Sequence, residues 1–180
     1  MMKLEFSVPI YKYKINDWEE KKKTITNILN KSDSRLVGNV ITTSMDQNLF
    51  LFQNEIRMFE KEVGLDLVCT ELWFQKYENN MDHSVHTHGP IGFSSVCFVE
   101  YDKKCHKPTI FVSPFYDNIT GDLLKYEPDV EEGDLLFFPA NLMHYAPVNC
   151  SNKIRITAAF NLFFREKMFK QKPSERVVYQ

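Results

Sequence analysis

From Leu65 onward the chain is a succession of short β-rich runs, and this limits its fold more than any other feature. LDLVCTELWFQKY, GFSSVCFVEY, PTIFVSP, GDLLFFP and IRITAAFNLFF are separated by Gly, Pro, Asn and Asp. No helical repeat lies between them, so the crossover helices of a doubly wound α/β sheet are not expected. The last run shows how the sheet is dressed. Its even positions are Ile154, Ile156, Ala158, Phe160 and Leu162, and its odd ones Arg155, Thr157, Ala159 and Asn161. Strand side chains alternate between faces, so one face is oily and the other polar.

The first third of the chain has a different texture. Residues 4–15, LEFSVPIYKYKI, carry β-formers interrupted by Pro9, as an edge strand or extended lead-in does. Asn16 or Asp17 caps an expected helix to about Lys31, with Trp18, Ile25, Ile28 and Leu29 on its apolar side. Residues 32–44 read as loop, with a short strand at Leu36 to Ile41. A second helix is expected over Gln47 to Val63, where Phe52, Ile56, Phe59 and Val63 form one stripe ahead of the C-capping Gly64. That aromatic stripe reads as core. Two helices followed by many short strands predict a mainly β fold, an antiparallel double-sheet barrel of jelly-roll or cupin-like form flanked by the helices. A single domain over 1–180 is expected, with helical support in 1–64, the barrel in 65–164 and a polar tail in 165–180.

Composition narrows the function classes. The chain has 180 residues, 43% hydrophobic and 14% aromatic, including fifteen Phe, which suits a packed globular core. Its net charge is −2, and apart from Lys21 to Lys23 the basic residues are scattered, so bulk charge gives no argument for nucleic acid. No apolar run approaches the roughly twenty residues that cross a bilayer, and the start has no signal-peptide h-region. A cytoplasmic protein without membrane attachment is the expectation. Cys69, Cys97, Cys105 and Cys150 form no CxxC pair and read as thiols rather than disulfides or zinc ligands. The N-terminal strand offers an edge through which a homodimer can pair.

Chemistry concentrates between Tyr77 and Tyr101, YENNMDHSVHTHGPIGFSSVCFVEY, which holds three of the five histidines: His83, His86 and His88. His86 and His88 are two apart and share a side if they lie on one strand. His144 stands in the apolar run FFPANLMHYAPV, where an unpaired imidazole is costly. If its strand lies opposite the pair, three imidazoles converge as metal ligands. Arg155 and Thr157 fall on the polar face of the last strand. An interior guanidinium needs an anionic partner, and its fork matches a carboxylate. An internal Asp or Glu is the plain alternative to an acidic ligand.

On these residues the chain resembles the iron(II)- and 2-oxoglutarate-dependent oxygenases, especially their small phage-type members. The resemblance runs from about Leu72 to Phe164. Tyr77 precedes His86 by nine residues, the interval of prolyl-hydroxylase-like members before their HxD motif. SSVCFVEY, TIFVSP, EEGDLLFFPANLMHYAPV and RITAAFN follow in the expected order. The resemblance implies a double-stranded β-helix with iron(II) on His86 and His144. It also implies 2-oxoglutarate anchored by Arg155 and Thr157 and lined by Tyr77. It departs at position 88, where His88 stands in place of the usual carboxylate; HxH is also familiar from the phage-type members. Asp82 is the substitute carboxylate to test, and His83 is expected beside the site or merely exposed.

The expected activity is hydroxylation of an unidentified substrate. The alternatives are a three-histidine cupin-type enzyme without 2-oxoglutarate, a non-catalytic ligand- or partner-binding barrel, and a zinc hydrolase. The cupin reading leaves Arg155 and Thr157 idle, and the hydrolase lacks an acid suitably spaced as a general base.

Overall fold

The structure is a computed structural model that describes residues 7–44 and 49–165. Its elements run β1 (Tyr11–Lys14), α1 (Trp18–Leu29), β2 (Arg35–Val37), β3 (Val40–Ser44), α2 (Gln53–Val63) and β4 (Leu67–Tyr77). There follow β5 (His83–His86), β6 (Phe93–Glu100), β7 (Ile110–Tyr116), β8 (Leu123–Tyr126), β9 (Asp134–Pro139), β10 (His144–Ala146) and β11 (Arg155–Phe164). A seven-stranded sheet has the order β1-β9-β6-β11-β4-β3-β2, and a four-stranded sheet the order β5-β10-β7-β8. Every strand pairing is antiparallel. The fold is a double-stranded β-helix flanked by two helices.

The alternation of β11 divides the molecule. Ala158, Phe160 and Leu162 join Leu72, Phe74, Cys97, Leu135 and Phe137 on the outer face of the larger sheet, under the helices. Trp18 and Ile25 of α1, with Phe52, Ile56 and Phe59 along α2, complete this core. The ring of Phe59 stacks on Phe137 at 4.3 Å, and Phe52 on Phe160 at 5.0 Å. A second apolar cluster, including Val96, Phe98, Phe111, Leu136 and Phe138, fills the barrel between the sheets.

The helices are shorter than the spacing suggests. The backbone of α2 becomes helical only at Gln53, after a turn over Leu49 to Phe52, and Gly64 ends it in the left-handed conformation (φ 67°). The start expected at Gln47 lies outside the described residues, as does the tail beyond Arg165. Residues 32–44 form a hairpin, β2–β3, rather than a loop with one strand, and β3 pairs with β4. The N-terminal third therefore supplies three strands of the larger sheet as well as helical cover, with β1 at its edge. Cys69, Cys97, Cys105 and Cys150 are free thiols, and only Cys97 is fully buried. No helix among the described residues is long and apolar enough to cross a membrane.

Docking of α1 depends on Gly133. Its backbone is left-handed (φ 81°), and a Cβ there would come within 2.7 Å of the Trp18 ring. The same residue receives the Ile15 N–H at 3.1 Å and donates its own to Phe98 O at 2.9 Å, so it has little room to yield. Gly133→Ala is expected to cost about 2 kcal/mol through overpacking and backbone strain. The urea midpoint should fall with an unchanged m-value.

Candidate metal centre

The centre is built where the smaller sheet closes over the polar face of the larger one. His144 opens β10 and pairs directly with His86 at the end of β5. The next matched pair is Ala146 with His83, so β5 spends three residues where β10 spends two. This bulge inserts one extra residue and cancels the alternation. His83 and His86 consequently face the same cavity, with ring centroids 4.0 Å apart. His88 is not a second strand position. It lies past the end of β5, where its N–H donates to Ala140 O at 2.8 Å. A turn, rather than strand alternation, brings it beside His86.

One ring nitrogen from each of His86, His88 and His144 lies within 4.8 Å of the others. Their tautomers suit a metal. His86 Nδ1–H donates to Ser84 O at 2.7 Å, and His144 Nδ1–H to Leu142 O at 2.8 Å. Each ring thus keeps its Nε2 lone pair for the cavity. His88 Nε2 stands 3.2 Å from His144 Nε2. Asp82 does not join them; its carboxylate accepts the Asn39 amide.

Burial keeps His88 and His144 uncharged. Desolvation is the main reason that His144 is lowered to about 3 and His88 to about 4, with neighbouring imidazoles adding to it. His83 is lowered to about 4 in the same way. The cavity is lined by Trp73, Gln75 and Tyr77 of β4, by Thr157 and Ala159 of β11 and by the four histidines, with no Asp or Glu in its wall. Its free volume is about 20 Å³, enough for a water-sized occupant; a five-carbon dicarboxylate requires side chains to move.

Arg155 lies beyond this wall, 2% exposed, with its guanidinium carbon 4.2 Å from the Tyr77 ring centre. Nη1 donates to Lys107 O at 2.7 Å and Nη2 to Pro147 O at 2.9 Å, while Nε has no partner. Among the described residues no carboxylate forms an ion pair with it, so the internal salt bridge that was the alternative to an acidic ligand is not there. Desolvation lowers its pKa, and burial raises that of Tyr77 to about 12. A buried cation with a spare donor and no counter-charge suits an anionic ligand. The Tyr77 hydroxyl donates to Gln75 Oε1 at 2.9 Å, and Gln75 Nε2–H to His83 Nδ1 at 2.9 Å. Gln75 was not singled out from sequence. The signal was present in the strict alternation Trp73, Gln75, Tyr77, which puts all three on one face of β4.

Facing sheets with converging imidazoles at the strand ends define a metal-binding double-stranded β-helix. Residues 71–161, half of the chain, match the family model described as "Putative 2OG-Fe(II) oxygenase", and the chain belongs to this 2OG-Fe(II) oxygenase family. Solved structures agree on the fold. HygX from Streptomyces hygroscopicus, solved with nickel, 2-oxoglutarate and hygromycin B, superposes with a TM-score of 0.70 at 10% identity over 88% of this chain and 84% of its own. A Pseudomonas putida prolyl-4-hydroxylase gives 0.60 at 11% identity over 88% and 94%. The viral collagen prolyl hydroxylase of Paramecium Bursaria Chlorella virus-1, in its 2OG complex, gives 0.57 at 15% identity over 84% and 94%. No curated protein matches the chain by sequence.

The depressed histidines make the metal-free fold acid-sensitive. The unfolded chain takes up protons as pH falls through 6.5, whereas folded His88 and His144 stay neutral until about 4 and about 3. Stability is therefore fully present above 6.5 and is lost as pH falls across that window. Urea unfolding of metal-stripped protein at pH 7.5 and pH 5 should differ by about 2 kcal/mol for each of these two histidines, the acid value lower.

Proposed function

We propose that the protein is an iron(II)- and 2-oxoglutarate-dependent oxygenase that hydroxylates an unidentified substrate. One observation carries the reading. Three imidazole nitrogens converge in the barrel, and a buried guanidinium without a counter-carboxylate stacks on Tyr77 of the same cavity's wall. In this assignment His86, His88 and His144 hold the iron through Nε2. Arg155 takes the distal carboxylate of 2-oxoglutarate, aided by the Thr157 and Tyr77 hydroxyls.

Iron and 2-oxoglutarate together supply the oxidising chemistry on dioxygen; the chain's part is to hold, orient and shield. A guanidinium has five N–H groups. The Lys107 and Pro147 carbonyls engage two of them, which aims the fork while leaving donors for a ligand. Stacking on Tyr77 fixes the plane of the fork. Trp73, Phe138 and Ala146 wall the cavity with apolar surface and keep bulk water from the reacting centre. Neutral histidines offer lone pairs without proton competition near neutral pH.

Thermal melting of metal-stripped protein tests the reading, with manganese(II) as a redox-silent substitute for iron. Manganese should raise the melting temperature of the wild type and of Arg155→Ala alike, and His144→Ala should abolish that shift. Addition of 2-oxoglutarate should raise it further only with metal present, and Arg155→Ala should weaken its binding at least about tenfold. A metal shift without any 2-oxoglutarate effect would favour the three-histidine cupin-type enzyme instead.

A further inference from the structure

His83 is a cavity residue to which the metal and anion assignments give no task. Its ring lies against His86, 4.0 Å between centroids and 28° between planes, so it belongs to the metal end of the cavity. Nδ1 accepts the Gln75 Nε2–H at 2.9 Å, which requires that the ring proton sit on Nε2. Gln75 is itself oriented, because its Oε1 accepts the Tyr77 hydroxyl at 2.9 Å. The hydroxyl belongs to the ring on which the Arg155 guanidinium stacks at 4.2 Å. These donors run in one direction: Tyr77 O–H to Gln75, Gln75 N–H to His83, and His83 Nε2–H to no protein acceptor among the described residues. Chains of this kind polarise one another, so the last N–H is the strongest donor.

We infer that His83 is a further positioning residue for the cosubstrate, donating Nε2–H to an anionic oxygen at the chelating, 2-oxoacid end of 2-oxoglutarate. The inference rests on the oxygenase reading above. The cavity wall offers no carboxylate that this donor can serve. Its task would be to fix the metal-bound end, while Arg155 fixes the other. The Tyr77–Gln75 link ties the two ends to one hydrogen-bonded framework and holds the His83 tautomer.

Two substitutions separate donation from bracing. His83→Phe keeps an aromatic ring against His86 but removes the donor. His83→Gln places an amide N–H near the position of Nε2. Both are made in the full chain, loaded with manganese(II), and 2-oxoglutarate binding is measured by calorimetry. Free manganese is followed separately by electron paramagnetic resonance. The expected result is manganese affinity within about twofold of wild type in both variants. The dissociation constant for 2-oxoglutarate should rise about tenfold in His83→Phe and stay within about threefold in His83→Gln, since a hydrogen bond to a charged group is being removed or retained. Glutarate, which lacks the keto acid, should bind wild type and His83→Phe equally.

Unchanged 2-oxoglutarate binding by His83→Phe, with Arg155→Ala still impaired, would overturn the role of His83 and leave the oxygenase reading standing. An equal loss for glutarate would overturn the assignment to the chelating end. Weakened manganese binding in His83→Phe would make His83 a brace for His86 instead. A wild type that binds manganese but not 2-oxoglutarate would remove both readings together.

Discussion

The central strand β11 carries two demands at once. It pairs with β4 from Arg155 to Phe164 and with β6 from Ile156 to Leu162, so it is the spine of the larger sheet. Its even side chains from Ala158 to Leu162 are buried under the helices, where they supply the hydrophobic stabilisation. Its odd side chains line the barrel and begin with a fully buried guanidinium. A one-residue slip would put Arg155 under the helices and Phe160 in the cavity, so core and site enforce one register. Burying Arg155 costs desolvation free energy. Two carbonyl bonds and the Tyr77 ring offset part of it and leave a cation poised for an anion.

The helices give that spine a rigid backing. Lys21 of α1 and Glu55 of α2 meet at 2.5 Å, both nearly buried, and Lys21 also lies over the Phe52 ring. This joins the helices to each other as well as to the sheet. Removing one partner would leave an unpaired buried charge, which is more damaging than never having had the pair. Packing on the outer face thus reaches the centre through strand positions: Phe160 and Ala158 hold β11 from one side, while Ala159 and Thr157 project from the other.

What could be read from sequence follows from periodicity. The alternation of β11 predicted which side Arg155 takes, and the stripe Phe52, Ile56, Phe59 predicted the buried side of α2. His144 opposite His86 was legible because the two lie in separate strand-like runs that an antiparallel barrel brings together. The position of His83 was not, because a bulge in β5 breaks the very alternation on which such a reading relies. His88 reached the cluster for a reason other than the one inferred, through a turn anchored on Ala140. Gln75 was missed because an amide between large β-formers has no chemistry until its partners are in place; Tyr77 and His83 supply them.

In the proposed assignment, His88 in place of a carboxylate ligand alters the charge balance of the whole cavity. The wall holds no Asp or Glu, desolvation drives His83, His88 and His144 toward neutrality, and Arg155 adds an unpaired positive charge beyond Tyr77. A divalent metal on three neutral imidazoles would therefore add to a positive charge that nothing in the wall cancels. In a setting of low effective dielectric such an excess is costly until anions arrive. In that assignment a dicarboxylate spanning metal and guanidinium would cancel two of the three positive charges. In the proposed assignment the wall supplies no negative charge, so the binding of metal and dianion would be mutually reinforcing, each lowering the electrostatic cost or raising the gain of the other.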